Sequence, residues 1–136
     1  MRRSLLLLLL LSCANTTTTN TIIFDNGASF EVELAQTPEQ HAQGLMNRDK
    51  MDENKGMLFI FDAEETHTFW MKNTKIPLDI IFMNENRTVV EIYEAEPCAS
   101  DSCPIYSANA QYVLEINGGL AKTKSITKGS RAVWSS

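Results

Sequence analysis

The stretch that decides the fold is residues 67–82, which read H-T-F-W-M-K-N-T-K-I-P-L-D-I-I-F. It holds the densest apolar material in the chain, in two strand-like runs that flank a polar loop at residues 73–77. Alternate residues of each run fall on opposite faces, as in a β-strand. We therefore expect residues 67–82 to form a hairpin-like pair of strands and to supply much of the core.

Shorter patterns on either side of this stretch predict a mainly β protein. Asn26-Gly27 favours a tight type I′ turn between strands at residues 22–24 and 30–34. Thr37, Pro38 and Gln40 match a helix start with a capping box, and that helix should end near Asn47. The remaining expectations are strands at 57–61, 88–95, 111–117 and 131–134, a turn at 62–66, an irregular segment at 96–109, and a short helix at 120–126.

About seven short strands with one or two short helices predict a compact jelly-roll-like barrel or sandwich. The chain has 136 residues, which favours a single domain. We expect that domain to occupy residues 22–136.

The N-terminus has the pattern of a secretory signal peptide. Arg2 and Arg3 precede seven leucines, and Leu10-Leu11-Ser12-Cys13 closely resembles a bacterial lipobox. Seven leucines are too few to span a bilayer, which needs about 20 apolar residues. We expect residues 1–12 to be removed as a lipoprotein signal peptide, leaving a lipid on Cys13. The alternative is an ordinary secretory signal with an incidental cysteine.

Residues 13–21 contain the polar run A-N-T-T-T-T-N-T after Cys13, which predicts a flexible tether. The whole chain has a net charge of −5, and loss of Arg2 and Arg3 makes it −7. An acidic chain is a poor partner for nucleic acid, so we expect none. The predicted membrane contact is the lipid alone, on the periplasmic face of the outer membrane if the cell has two membranes, because Ala14 follows Cys13. We expect a monomer.

Cys98 and Cys103 form an even pair in a chain that we expect to be exported, which predicts a disulfide. Four residues separate them, unlike the two-residue spacing of thioredoxin-like and zinc-knuckle cysteines. A redox or metal role is the alternative.

Six motifs occur in order along the domain and carry a family resemblance. They are Gly44-Leu45-Met46-x-Arg48, Gly56-Met57-Leu58-Phe59-x-Phe61, Phe69-Trp70-Met71-Lys72-Asn73-Thr74, Pro77-Leu78-Asp79, Pro97-Cys98 with Cys103-Pro104, and Val113-Leu114-Glu115. Together they resemble domain-of-unknown-function family 192, across essentially all of residues 22–134. The resemblance implies a small β-rich, jelly-roll-like domain that is often exported. It implies no reaction, so no catalytic residue is transferred.

The polar side chains in these motifs are the candidate site residues. One hypothesis is that Asp79 accepts hydrogen bonds from loop amides or pairs with Lys72, and so fixes the turn between the two apolar runs. The other is that five polar residues converge on one pocket that binds a small polar ligand. They are Arg48, Lys72, Asn73, Asp79 and Glu115. Trp70 is a further candidate because its ring could stack on a sugar, although packing at the core or rim is the alternative.

Three classes of function remain open. The first is a non-catalytic envelope lipoprotein that binds a small polar ligand, a glycan or a protein partner. The second is an enzyme acting on an envelope substrate through the carboxylates of Asp79 and Glu115. The third is a copper-handling protein, because five methionines accompany His41 and His67, although most of those methionines lie in core-like runs. No cofactor motif is present, and we expect no cofactor.

Overall fold

The computed structural model describes residues 19–135, so Cys13 and most of the predicted tether lie outside the described residues. Those residues form seven strands and two short helices. In chain order they are β1 (Thr19–Phe24), β2 (Ser29–Ala35), α1 (Pro38–Gln43), β3 (Lys55–Trp70), β4 (Leu78–Met83), β5 (Val89–Ala95), β6 (Ile105–Asn117), α2 (Leu120–Thr123) and β7 (Ala132–Val133). The mainly β class and the strand number are confirmed. Neither helix is long and apolar enough to cross a membrane.

All seven strands belong to one sheet with the order β5-β4-β6-β3-β2-β1-β7. β2 and β3 run parallel, and every other neighbouring pair is antiparallel. The sheet curls into a half-barrel. Its two ends meet where Thr88, just before β5, bridges Arg131, just before β7. The N–H of Val89 also donates to the Ser130 carbonyl over 2.8 Å.

Two apolar clusters lie on opposite faces of the sheet. The first includes residues of all seven strands, such as Ile22, Leu114 and Ala132. Strands at opposite ends of the sheet can share one cluster only on its concave side, so this cluster fills the half-barrel. The second, with Phe59, Ile80 and other residues, draws on β2 to β6 and the loops packed outside them. The strand β4, second in the sheet order, is therefore buried on both faces.

The predicted turn at residues 62–66 is wrong, because β3 runs without interruption from Lys55 to Trp70. Its pairing with β6 shifts between Ile60 and Glu65, so four β3 residues lie opposite Gln111 alone. Asp62 and Glu64 are in this β-bulge, where extra residues bend a strand without ending it, and Glu65 is already paired with Ala110. β6 likewise begins at Ile105, inside the segment that we expected to be irregular.

The hairpin-like pairing expected within residues 67–82 is also wrong. β6 lies between β3 and β4 and pairs with both of them. The two apolar runs are strands with the predicted alternation, but each is paired to a strand distant in sequence. Local periodicity defines the faces of a strand and leaves its partner open.

Two local features also differ from the expectation. Gly27 has φ of 90°, and its N–H donates to the Phe24 carbonyl. The hairpin therefore has a three-residue loop with a bulge instead of the expected type I′ turn. The capping box of Thr37 and Gln40 is present. α1 nevertheless ends at Gln43, short of Asn47, because Gly44 adopts a positive φ of 46°.

Candidate functional site

A pocket of about 220 Å³ lies on the outer face of β3 and β6, beneath α1 and the loop after it. Four parts of the chain enclose it: α1 with the loop after it, the bulged strand β3, the loop before β4, and β6. The lining residues are His41, Ala42, Gln43, Gly44, Leu45, Met46, Phe59, Phe61, His67, Thr68, Phe69, Trp70, Thr74 and Glu115.

Glu115 on β6 brings a buried carboxyl group to this pocket, with only 4% of the residue exposed. It lies opposite Met57 on β3 and Ile80 on β4, both members of the outer apolar cluster. Burial raises the pKa of Glu115 from 4.5 to about 8, and no hydrogen bond or neighbouring charge within residues 19–135 offsets this effect.

The Glu115 carboxyl faces the open volume of the pocket. Among the described residues, every side-chain oxygen that is completely sealed from solvent has a hydrogen-bond partner. The Glu115 carboxyl has none, so its oxygens must reach the pocket space. A polar group that faces open space in this way can bond to a molecule that enters that space.

Aromatic rings form the wall of the pocket. Phe61 is stacked on His67, with 3.6 Å between ring centroids and 17° between planes, and the His41 ring centroid lies 4.4 Å from that of Phe61. Phe69 meets Phe59 edge to face at 5.0 Å. Trp70 stands at the rim with 52% of its surface exposed. The pocket thus combines an apolar, π-rich wall with one carboxyl group.

Backbone contacts hold the parts of this wall in place. The ring Nε2 of His41 lies 2.9 Å from the Ala35 carbonyl and 3.0 Å from the Ile60 carbonyl, which ties α1 to β2 and β3. The N–H of Asn47 donates to the Asn73 carbonyl over 2.8 Å and joins the two loops. A Cβ at Gly44 would lie 3.3 Å from Phe59 Cζ, so glycine lets the loop approach the ring.

The structure does not bring the sequence-predicted site residues to one pocket. Of the six, Glu115 and Trp70 line the pocket described above. Arg48 forms a bidentate ion pair with Glu33 on β2. Hydrogen bonding to Glu33 raises the pKa of the Arg48 guanidinium. Lys72 donates from Nζ to the Ser100 carbonyl over 2.8 Å and to Asp101, and Asn73 is exposed in the loop. Ligand binding by any of the six remains a prediction.

Asp79 is fully buried on the concave face, where its carboxylate accepts hydrogen bonds from Gly119 N at 3.0 Å and Ala121 N at 2.8 Å. It caps α2, and Lys72 bonds elsewhere. The register pairs Glu115 with Ile80 and Asp79 with Ile116, so the two carboxylates point to opposite faces of the sheet. They therefore do not form the carboxylate pair that the enzyme hypothesis requires.

Sequence reasoning missed the aromatic part of the site. The sequence predicts a strand for Phe59 and Phe61, and it predicts another strand for His67, which is also a candidate copper ligand, without bringing the three rings together. One signal was available: His67 and Phe69 alternate on the same face as Met71, so a polar ring interrupts an otherwise apolar face.

The predicted disulfide is present between Cys98 and Cys103, whose Cα atoms are 5.8 Å apart. It closes the loop between β5 and β6, and Lys72 bonds to the Ser100 carbonyl inside that loop. For the copper hypothesis, Met57, Met71 and Met83 are buried in the apolar clusters. No group of three or more His, Cys, Asp or Glu side chains within residues 19–135 is arranged to hold a metal ion.

A comparison with family models matches residues 21–134 to DUF192, described as an uncharacterized ACR. The chain belongs to the DUF192 family. The resemblance carried by the six motifs is therefore confirmed, whereas the lipoprotein signal remains a prediction.

Two solved structures resemble this DUF192 chain. A protein of unknown function from Novosphingobium aromaticivorans is 38% identical, with 85% of this chain and 84% of that chain covered and a TM-score of 0.75. A protein from Sinorhizobium meliloti, provisionally described as a transcription regulator, is 34% identical, with 89% and 97% covered and a TM-score of 0.78. No protein with a curated description matches the chain.

Proposed function

We propose that this DUF192 protein is a cell-envelope lipoprotein whose domain binds a small ligand in the Glu115 pocket. The carboxyl group of Glu115 carries the proposal, because it is buried at an open pocket without a hydrogen-bond partner in the described residues. A hydrogen bond to a charged group contributes about 1.5–3 kcal/mol. A ligand that donates to this carboxyl group gains free energy of that order on binding.

The make-up of the pocket supports binding as its role. Small-molecule sites are concave, mostly apolar, and contain a few polar groups that orient the ligand. Here the apolar part is Phe59, Phe61 and Phe69, and the orienting groups are Glu115 and Thr74, both less than 9% exposed. The volume of about 220 Å³ lies below the roughly 300 Å³ of the smallest drug-sized sites, so the ligand is small.

The proposed location depends on the N-terminal sequence. A lipid on Cys13 would hold the domain at the membrane, and the −5 charge of the chain supports neither nucleic-acid binding nor attraction to anionic lipid. Cys13→Ser tests this directly. We expect the wild type to fractionate with membranes and to carry the mass of its acyl chains, and the variant to lose both. A variant that keeps its membrane association would refute lipid anchoring.

A thermal-shift screen tests the binding function. Amino acids, amines, sugars and nucleotides from the envelope would be tested against wild type, Glu115→Gln and Trp70→Ala. We expect at least one compound class to raise the Tm of wild type, with a smaller shift in both variants. Glu85→Gln, an exposed carboxylate in the turn before β5, is the matched control and should behave as wild type.

The same screen has a clear negative outcome. If no compound raises the Tm of wild type, or if every shift survives in Glu115→Gln and Trp70→Ala, the pocket is not a binding site. The carboxyl group would then be a tolerated defect of the core.

The pKa of Glu115 also favours a second candidate, an enzyme in which this carboxyl group transfers a proton. A pKa of about 8 is close to the working pH that suits a general acid or base. The two candidates differ in outcome, since an enzyme would convert the compound that binds. Mass spectrometry of each hit after prolonged incubation with wild type and Glu115→Gln distinguishes turnover from binding.

A further inference from the structure

The charged groups of the pocket restrict what it can bind. Glu115 is the only acidic residue in the lining, and no lysine or arginine of the described chain lines it. The other titratable side chains there are His41 and His67, both packed against Phe61. Nothing in the pocket therefore supplies a fixed positive charge to the Glu115 carboxylate, and a ligand that pairs with it must bring its own.

The Trp70 ring at the rim has the same preference. The face of an aromatic ring carries negative potential and attracts cations, most strongly where water is excluded. Trp70 is 52% exposed and lines the pocket, whereas Phe61 and Phe69 pack against other rings. The carboxylate and the Trp70 ring favour a positively charged group, and the phenylalanine rings favour an apolar tail on it.

The size of the pocket limits the length of that tail. A cavity of about 150 Å³ accommodates benzene. The 220 Å³ available here therefore accommodates a molecule somewhat larger than benzene. An ammonium group on a straight chain of four carbons has about five heavy atoms, fewer than benzene, and fits within this volume.

We infer that the pocket binds a small alkylammonium ion, whose N–H groups donate to the Glu115 carboxylate while its alkyl chain packs against Phe59, Phe61 and Phe69. This inference rests on the proposed function and names the ligand class for the same site. A protonated amine satisfies the carboxylate with charge-assisted hydrogen bonds, which are about twice as strong as neutral ones.

Binding of such an ion is coupled to release of a proton. Burial keeps the Glu115 carboxyl group protonated in the empty pocket at neutral pH, since its pKa is about 8. The bound cation stabilises the ionised form, so the carboxyl proton leaves as the ammonium enters. Affinity should therefore rise about tenfold per pH unit below pH 8 and level off above it.

The side chains around Glu115 show which titratable groups can cause this pH dependence of affinity. On β3 its paired neighbour is Met57 and on β4 it is Ile80, neither of which titrates, and Asp79 of β4 points to the opposite face. α1 contributes His41, and the part of β3 after the bulge contributes His67. The loops contribute Met46 and Thr74, which carry no charge. Only the two histidines could contribute to the pH dependence besides Glu115.

Calorimetric titration with butylammonium tests the inference, with butanol and butyrate as a neutral and an anionic control of similar shape. We expect wild type to bind butylammonium at least tenfold more tightly than butanol and not to bind butyrate. Loss of a charge-assisted hydrogen bond corresponds to about 10–100-fold in affinity, which is the expected loss in Glu115→Gln. Trp70→Ala should lose about tenfold, and Glu85→Gln should match wild type.

Titrations at several pH values and in two buffers of different ionisation enthalpy provide the second measurement. Wild type should release close to one proton per butylammonium at neutral pH, and Glu115→Gln should release none. Any release that remains in Glu115→Gln would come from the histidines and would contradict the assignment to Glu115.

The outcomes separate this inference from the function on which it rests. If butanol or butyrate binds as tightly as butylammonium, or if binding releases no proton, the ligand class is wrong while the pocket remains a binding site. If none of the three probes binds and another compound raises the Tm in the broader screen, the ligand class is again wrong. If nothing in either experiment depends on Glu115 or Trp70, the proposed function is wrong as well.

Discussion

At the scale of single residues, Glu115 is one of three buried polar or charged residues in the described part of the chain. The carboxyl group is surrounded by apolar side chains of β3 and β4 and receives no hydrogen bond from residues 19–135. Burial in these apolar surroundings favours the protonated, uncharged form of the carboxyl group. Its pKa therefore rises to about 8.

This raised pKa makes stability depend on pH. Below pH 4.5 the carboxyl group is protonated in both the folded and the unfolded chain. Between 4.5 and about 8 the folded protein retains a proton that the unfolded chain has lost, so the free energy of unfolding falls as pH rises. Glu115→Gln removes this titration. Between about pH 5 and pH 8, we expect the stability of wild type relative to Glu115→Gln to fall by up to about 4 kcal/mol.

Urea unfolding of both proteins across this pH range measures the difference. Glu85→Gln is the control, because its exposed carboxyl group should leave the pH profile of wild type unchanged. A constant difference between wild type and Glu115→Gln at every pH would show that Glu115 has an ordinary pKa.

Sequence reasoning identified Glu115 and Trp70 but not their surroundings. Polar residues within apolar motifs are visible in the sequence, and this made Glu115 a candidate. The ring stack of Phe61 with His41 and His67 joins residues from α1 and both sides of a bulge. Such a cluster depends on tertiary packing, and no periodicity in the sequence indicates it.

At the scale of secondary-structure elements, Asp79 connects β4 to α2. Gly119, at the N-terminus of α2, has no side chain to cap the helix, and the Asp79 carboxylate accepts the free N–H groups instead. Asp79 therefore accepts hydrogen bonds from backbone amides, but these belong to the start of α2. The expectation that Asp79 fixes the loop at 73–77 or pairs with Lys72 is wrong.

Asp79→Asn and Lys72→Met should differ in their effect on stability. The amide side chain in Asp79→Asn would retain one acceptor and turn an N–H donor toward backbone N–H groups, so we expect a loss of about 2 kcal/mol or more. Lys72 pairs with an exposed aspartate, and its replacement should cost less than about 1 kcal/mol. Thermal or urea unfolding of the two variants decides this, and equal losses would contradict the capping role.

The disulfide in the β5–β6 loop should make only a modest contribution to stability. It joins residues five apart, and closing so short a loop stabilises the fold by about 2 kcal/mol in the entropic model. We expect reduced protein, or the double variant Cys98→Ser with Cys103→Ser, to remain folded with a lower Tm. Complete unfolding on reduction would mean that the loop holds the sheet together.

Elements with local signals could be predicted, and their partners could not. The capping box of α1 and the alternation of β2 and β4 depend on residues close in sequence. The bulge in β3 exists because β6 pairs on both sides of it, from Gly56–Ile116 to Trp70–Ile105. A run of acidic residues looks the same in a turn and in such a bulge, which explains the error at residues 62–66.

At the scale of the whole molecule, the half-barrel is closed by the last strand. β7 pairs with β1, and the residues just before it reach the start of β5. Trp134 seals this junction with 7% of its surface exposed, and the Arg87 guanidinium lies 3.9 Å from its ring centroid. Arg87 Nη1 also donates to the Trp134 carbonyl over 2.8 Å.

Trp134→Ala should destabilise the whole domain. Removal of a buried large aromatic side chain costs about 3–5 kcal/mol, and here it also removes the platform for Arg87. Val133→Ala is the matched control at the neighbouring position, because Val133 is 63% exposed and should lose well under about 1 kcal/mol. Urea unfolding tests both variants, and a small loss in Trp134→Ala would show that closure by β7 is dispensable.

The overall class followed from strand count and composition, since seven short strands with two short helices leave few compact arrangements. The strand order did not follow, because β6 separates two strands that are successive in sequence. The pocket depends on that order, as Glu115 reaches Phe59 and Phe61 only when β6 lies beside β3.

The central claim is that the Glu115 carboxyl group has no hydrogen-bond partner within residues 19–135 and binds a cationic ligand. Carbon-13 NMR of the labelled Glu115 carboxyl group, titrated with and without butylammonium, tests it most directly. The account predicts a pKa of about 8 in the free protein and a marked fall when butylammonium is bound. A pKa near 4.5 in the free protein, or one that butylammonium leaves unchanged, would contradict it.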